Sequence, residues 1–212
     1  RFIQEMGPVG FARPNKGLMV VKELISSQAR QGADYIDINV DALLSNTQDA
    51  MRQYVRLVHR LGEGVPPCID SSNLDVLVAG LAEWFSFGDV RPPLINSIPY
   101  TERMHFAPLL ELRKKHAFSI IAMLGGPEGT LKSPDEIYSA GKEMFQLLTG
   151  AGFKPEEIFF DTITLGLATD SCMDGMGEVK PTHTRNSFHG IRKIKQDPAM
   201  RNVHAVLGVS NW

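Results

Sequence analysis

Five side chains of one chemical class stand at corresponding places along the chain. Asn39, Asp70, Asn96, Asp161 and Asn211 each close a short apolar run, in "YIDIN", "PCID", "PLIN", "FFD" and "LGVSN". Taken singly, each has a plain explanation, because Asp and Asn are common helix caps and turn formers. In "VPPCIDSSNLDVLVAGL", residues 65–81, Asp70 precedes two serines and Asn73 and could simply cap the helix that follows. Repetition in one residue class after five separate runs points instead to a shared small-molecule site.

Carboxylates accept from ring N–H and amino groups, whereas amides both donate and accept. The set has no accompanying Lys/Arg cluster, so it does not suit a nucleoside triphosphate or another phosphate. It suits a neutral heterocycle with donors and acceptors along one edge, such as the 2-amino-4-oxo pyrimidine of pterin or guanine. Motifs for other chemistry are missing. "LGGPEGT" lacks the Lys-Ser/Thr ending of a phosphate loop, and no GxGxxG or GxSxG occurs. His183 and His189 are six apart, off one helical face, and no His/Cys set has metal-ligand spacing, so no protein-bound metal is expected.

The elements that must hold these residues alternate. Leu18, Val21, Leu24 and Ile25 recur at helical spacing and Gly32 closes the segment. "DYIDINV" (34–40) reads as a strand; Met51, Val55, Val58 and Leu61 form a helical stripe before "PPCID". Leu74, Leu77, Val78, Leu81 and Phe85 repeat that stripe before "PPLINSI" (92–98). Pro108 predicts a late start or a kink within 101–115. "FSIIAML" (118–124) ends in glycines, which would let a ligand approach the backbone. Ser133 and Glu136 then predict a capping box. "EEIFFDT" (156–162), a Gly-rich loop over 163–182, a helix over 184–196 and "HAVLGVSN" (204–211) complete the series. Six strands alternating with helices predict an α/β fold with a parallel sheet, closed as a barrel or open and doubly wound.

Bulk properties narrow the classes further. The 212 residues are 43% hydrophobic and 22% charged with net charge −2, ordinary for one globular domain and without a basic footprint for nucleic acid. No apolar run is long enough for a membrane span. Cys68 and Cys172 form no CxxC pair, which favours a reducing, cytoplasmic setting. The opening at Arg1-Phe2, without a methionine, reads as a fragment or a trimmed chain.

In order, "GADYIDINVD", "VPPCIDSSNLDVLVAGL", "LINSI", "IFFD" and "VLGVSN" resemble the pterin-binding methyltransferases. That group includes the methyltetrahydrofolate:corrinoid methyltransferases and the folate domain of cobalamin-dependent methionine synthase, with dihydropteroate synthase more distant. The resemblance covers nearly the whole chain. It implies a (β/α)8 TIM barrel in which the six segments are strands two to seven, so that 1–212 would be one pterin-binding barrel domain truncated at both ends. By position, Asp70, Asn96 and Asp161 match residues that hold the pterin ring, Asn211 matches the asparagine near N5, and Asn39 matches a second-strand polar position. Thr162 departs from the family, which often has proline after the sixth-strand Asp.

The implied reaction is methyl transfer between N5 of a methyl-tetrahydropterin, such as methyl-tetrahydrofolate, and the cobalt of a cobamide carried by a corrinoid partner protein. The expected assembly is this enzyme, as a homodimer, with the pterin and the corrinoid protein. Two other readings stand beside it. A dihydropteroate-synthase-like enzyme would need a basic cluster near the final strands, and none follows "LGVSN". A non-catalytic pterin-binding or corrinoid-docking module is the other, against which Asn211 argues.

Overall fold

A computed structural model of the chain describes residues 11, 14–43, 45–126, 129–165 and 183–208. All six anticipated strands occur among them: β1 Ile36–Asn39, β2 Pro67–Asp70, β3 Leu94–Pro99, β4 Ser119–Met123, β7 Ile158–Asp161 and β8 His204–Val206. Two short strands that the sequence reading missed, β5 Gly125–Gly126 and β6 Gly129–Thr130, pair antiparallel after β4. The helices are α1 Lys16–Arg30, α2 Thr47–Leu61, α3 Leu74–Phe85, α4 Ala107–Leu112, α5 Pro134–Gly150 and α6 His183–Gln196. The chain divides into two compact units, the first holding 1–96 with 116–118 and the second 97–115 with 119–212.

In the first unit β1, β2 and the opening residues of β3 pair in parallel. Side chains alternate across a strand. Ile36 and Ile38 are accordingly buried while Asp37 and Asn39, between and after them, are exposed. Helices α2 and α3 cover the apolar side, where Met51, Val55, Ile69, Leu77 and Ile95 are fully buried. Close approach is possible because residue 80 is glycine: a Cβ there would come within 2.7 Å of Ile69 Cγ2 and 3.0 Å of Met51 Cγ. Helix α1 buries Leu18 and Ile25 but leaves Leu24 exposed. It closes with Gly32 at φ 83, whose N–H reaches the Ala29 carbonyl while Ala33 reaches that of Gln28.

In the second unit β4, β7 and β8 pair in parallel, in that order. Helix α4 starts at Ala107 with Pro108 in its first turn, as the proline requires. Just after it, Arg113 donates to Glu157 Oε2 at 2.5 Å and lies over the Phe153 ring, fixing the approach to β7. The N-cap of α5 differs from a strict capping box. Ser133 accepts from the Glu136 N–H, but the Glu136 carboxylate accepts from Lys132 N–H, one residue earlier. The close of α5 places Gly152 at φ 94, with Phe153 N–H on the Leu148 carbonyl.

Helices α5 and α6 touch through glycines. A Cβ on Gly190 would sit 2.4 Å from Ile137 Cγ2, and one on Gly141 would sit 3.0 Å from Ile194 Cδ1. Gly190→Ala is therefore expected to destabilise the protein by ~1–3 kcal/mol through overpacking. Urea unfolding would show a lower midpoint at unchanged m-value; an unchanged midpoint would mean that the helices separate freely.

Candidate functional site

Register brings three of the five candidate residues together. Asn39 is the pairing partner of Asp70, and Asp70 that of Asn96, so the three form one row at the carboxyl ends of adjacent parallel strands. Beneath them, two residues back along each strand, lies a second row of Asp37, Cys68 and Leu94. In parallel α/β folds this end of the strands is where ligands bind.

Asp70 does not cap the next helix. That duty falls to Asn73, whose Oδ1 accepts from Asp75 N–H at 2.9 Å. Asp41 organises the intervening turn: the Ser71 hydroxyl donates to its Oδ1 at 2.5 Å and Ser72 N–H to its Oδ2 at 2.8 Å. Burial pushes the Asp41 carboxyl up, but these bonds outweigh it and bring it below the ordinary range. Asp70 is thus spared local duty, apart from a side-chain hydrogen bond with Asn39. Burial pushes its pKa from 3.8 up to about 6; the Asn39 bond opposes the shift, and the nearby Asp37 and Asp41 charges add to it. Among the described residues no cation offsets it. Asp37 is likewise raised by desolvation, against a hydrogen bond to the Cys68 thiol.

Asn39 serves its own turn as well, its Oδ1 accepting from Asp41 N–H at 2.9 Å. It also borders a cavity of about 240 Å³ beside β1, with Leu24, Gln28, Asp37 and Tyr54 on its walls. That is smaller than the usual ligand pocket of about 300–1,000 Å³, so the row of polar ends is the better candidate.

Asp161 lies in the second unit, in register with Met123 and Val206. Its Oδ1 accepts from Ile163 N–H at 2.7 Å, an Asx turn, while its backbone carbonyl accepts from Leu124 N–H at 2.7 Å. Burial raises its carboxyl, and the Ile163 N–H draws it partly back. The glycine expected to admit a ligand at the end of β4 is taken by protein instead. A Cβ on Gly125 would lie 2.6 Å from Ile163 Cδ1. Asn211 and Cys172 lie outside the described residues, as does most of the 163–182 segment.

Two more residues belong with Asp161: Ser187, which the sequence reading did not single out, and His183, which it weighed only as a metal ligand. Ser187, fully buried on α6, places its hydroxyl 2.9 Å from the carbonyls of both Thr162 and Ile163. His183 Nε2 is 2.9 Å from the Ile163 carbonyl and 3.2 Å from Ser187 Oγ. The available signal was their i, i+4 spacing, which puts both on one helical face. The Thr162 hydroxyl is buried without a hydrogen-bond partner among the described residues. Among the described residues, no cluster of three or more His, Cys, Asp or Glu is arranged to hold a metal, and no helix is long and apolar enough to cross a membrane.

A family model described as "Pterin binding enzyme" matches residues 18–212. Among solved structures, the arginine decarboxylase of Paramecium bursaria Chlorella virus is similar at 16% identity, over 88% of this chain and 54% of that one, with a TM-score of 0.38. Its agmatine-bound form is similar at 17% identity, over 89% and 61%, with a TM-score of 0.36. This chain thus spans less than two thirds of the length of either. A likeness at that level says nothing about what this chain binds.

The raised Asp70 carboxyl has a thermodynamic consequence. Between pH ~4 and ~6 the folded state holds a proton that the unfolded state has lost, so folding stability falls as pH rises through this window. Asp70→Asn removes the effect. It is expected to raise the stability of the ligand-free protein above pH 6, by on the order of 1 kcal/mol once partial exposure is allowed for, with no gain at pH 4. Thermal melts across this range would show the difference; equal melts at pH 7.5 would mean that Asp70 is solvated as in water.

Proposed function

The chain belongs to the pterin-binding enzyme family, and from that premise we propose that it transfers a methyl group between N5 of a methyl-tetrahydropterin and the cobalt of a corrinoid protein. Methyl-tetrahydrofolate is the simplest such substrate. The observation that carries the reading is the row Asn39–Asp70–Asn96, polar side chains on adjacent strand ends, with no cation beside Asp70 among the described residues. A row of this kind matches the donor and acceptor edge of a pyrimidine ring and mismatches a phosphate. The ordered motifs, ending in "VLGVSN", resemble those of the methyl-transferring branch and support this reading.

Asp70 and Asp161 would accept from the ring N–H and exocyclic amino group, and Asn96 would supply a donor and an acceptor. Holding the ring this way fixes N5, and therefore the methyl group, in line with its acceptor. A tertiary amine is a poor leaving group, so N5 must take a proton as the N5–methyl bond breaks. Asn211 would accept a hydrogen bond from the protonated N5 without adding a charge, and solvent would deliver the proton. The reduced cobalt supplies the nucleophile and comes with the corrinoid partner. In this role the chain contributes orientation and electrostatics, and the same groups would serve the reverse reaction.

Three measurements test the reading on full-length protein. Asp70→Ala or Asp161→Ala should weaken binding of methyl-tetrahydrofolate by ~1.5–3 kcal/mol, the loss expected for bonds to a charged acceptor. Calorimetric titration reads this directly, and unchanged affinity in both variants would remove these residues from the site. Asp70 accepts from the ring with both oxygens, as a charged acceptor, only when ionised. Affinity in the wild type should therefore fall by up to ~tenfold per pH unit below about 6, and a flat profile down to pH 5 would contradict that role. Asn211→Ala should slow single-turnover methyl transfer at least ~tenfold, with a smaller loss of pterin affinity, because its bond strengthens as the methyl leaves. A wild-type rate in stopped flow would take Asn211 out of the mechanism.

A further inference from the structure

The turn after β7 adopts a conformation that its sequence does not favour. Ile163 lies at φ 60, in the left-handed region, where a β-branched residue is an outlier. Such a conformation persists only where its surroundings over-determine it, and these outliers gather at functional sites. Here every group of the residue is engaged. Its N–H donates to Asp161 Oδ1, its carbonyl faces the Ser187 hydroxyl and His183 Nε2, and its Cδ1 occupies the space over Gly125.

Ser187 has one hydroxyl hydrogen for two successive carbonyls, those of Thr162 and Ile163, and reaches both at 2.9 Å. It therefore grips the two residues that follow the carboxylate from a fully buried position on α6. We propose that Ser187, with His183 beside it, is a positioning residue for Asp161: it clamps the left-handed turn whose Ile163 N–H holds the carboxylate in the orientation that meets the pterin. This rests on the reading of Asp161 as a pterin-holding group. Neither Ser187 nor His183 touches the ligand in this scheme. When the clamp is lost, Ile163 relaxes to an ordinary φ, its N–H turns away, and Asp161 regains the rotamers that the turn had excluded.

Simple packing of α6 by Ser187 would also make its removal harmful, so affinity alone does not distinguish the roles. Non-additivity does. Full-length wild type, Ser187→Ala, Asp161→Ala and the double variant are titrated with 5-methyl-tetrahydrofolate by calorimetry, with thermal melts confirming that each is folded. Ser187→Ala is expected to weaken binding ~tenfold when Asp161 is present and less than ~twofold when it is absent. The same factor in both backgrounds, or wild-type affinity in Ser187→Ala, overturns the proposal. Wild-type affinity in Asp161→Ala instead overturns the pterin role of Asp161, and positioning with it, so the two failures are told apart. Should Ser187→Ala not fold, His183→Ala completes the same cycle and is held to the same outcomes.

Discussion

Parallel pairing in a single register across β1, β2 and β3 is the constraint on which the candidate site depends. Side chains in a strand alternate with period two, so one register decides every face at once. It sends Ile36, Ile38, Ile69 and Ile95 into the core and brings Asn39, Asp70 and Asn96 into line. A slip of one residue would drive a carboxylate beneath the helices and isoleucines into water. The packing of α3 on Ile69, which needs glycine at position 80, therefore protects the polar row as much as it stabilises the core.

The two units solve the problem of holding a carboxylate in different ways. Around Asp70, neighbours absorb the local hydrogen-bonding needs: Asn73 caps α3, and Asp41 with Ser71 builds the turn. Asp70 is left half-buried, with its ionised form disfavoured until a ligand donates to it. Asp161, in contrast, is enlisted by its own turn, which spends one oxygen on Ile163 N–H. That commitment removes rotational freedom before any ligand arrives, the usual route by which a binding group gains from preorganisation.

Much of this organisation is legible in the sequence, because strand and helix periodicity are local signals. The positions of Asn39, Asp70, Asn96 and Asp161 at strand ends follow from counting along apolar runs. Harder to read is which of several adjacent polar residues takes which job. "DSSN" offers four candidates for one cap, and only the path of the turn assigns it to Asn73. Glu136 is similar, since its side chain reaches Lys132 rather than Ser133 through a small difference in backbone approach. The glycines after β4 suggest room for a ligand, yet Gly125 accommodates Ile163, a residue 38 positions later in the chain. The contacts of Ser187 and His183 are missed for the same reason: their partners are backbone carbonyls far away in sequence, and carbonyls carry no residue-specific signature.

Cys68 occupies the row beneath Asp70, 5% exposed, with its thiol against Asp37. Burial and the neighbouring carboxylates push that thiol far above its ordinary range, so almost none is present as the nucleophilic thiolate. A thiol reagent in solution meets an unreactive group for as long as β1 and β2 stay paired. Alkylation at this position then proceeds through excursions that expose the thiol to water. Its rate becomes a clock for the opening of the first unit, read at a single atom under fully native conditions.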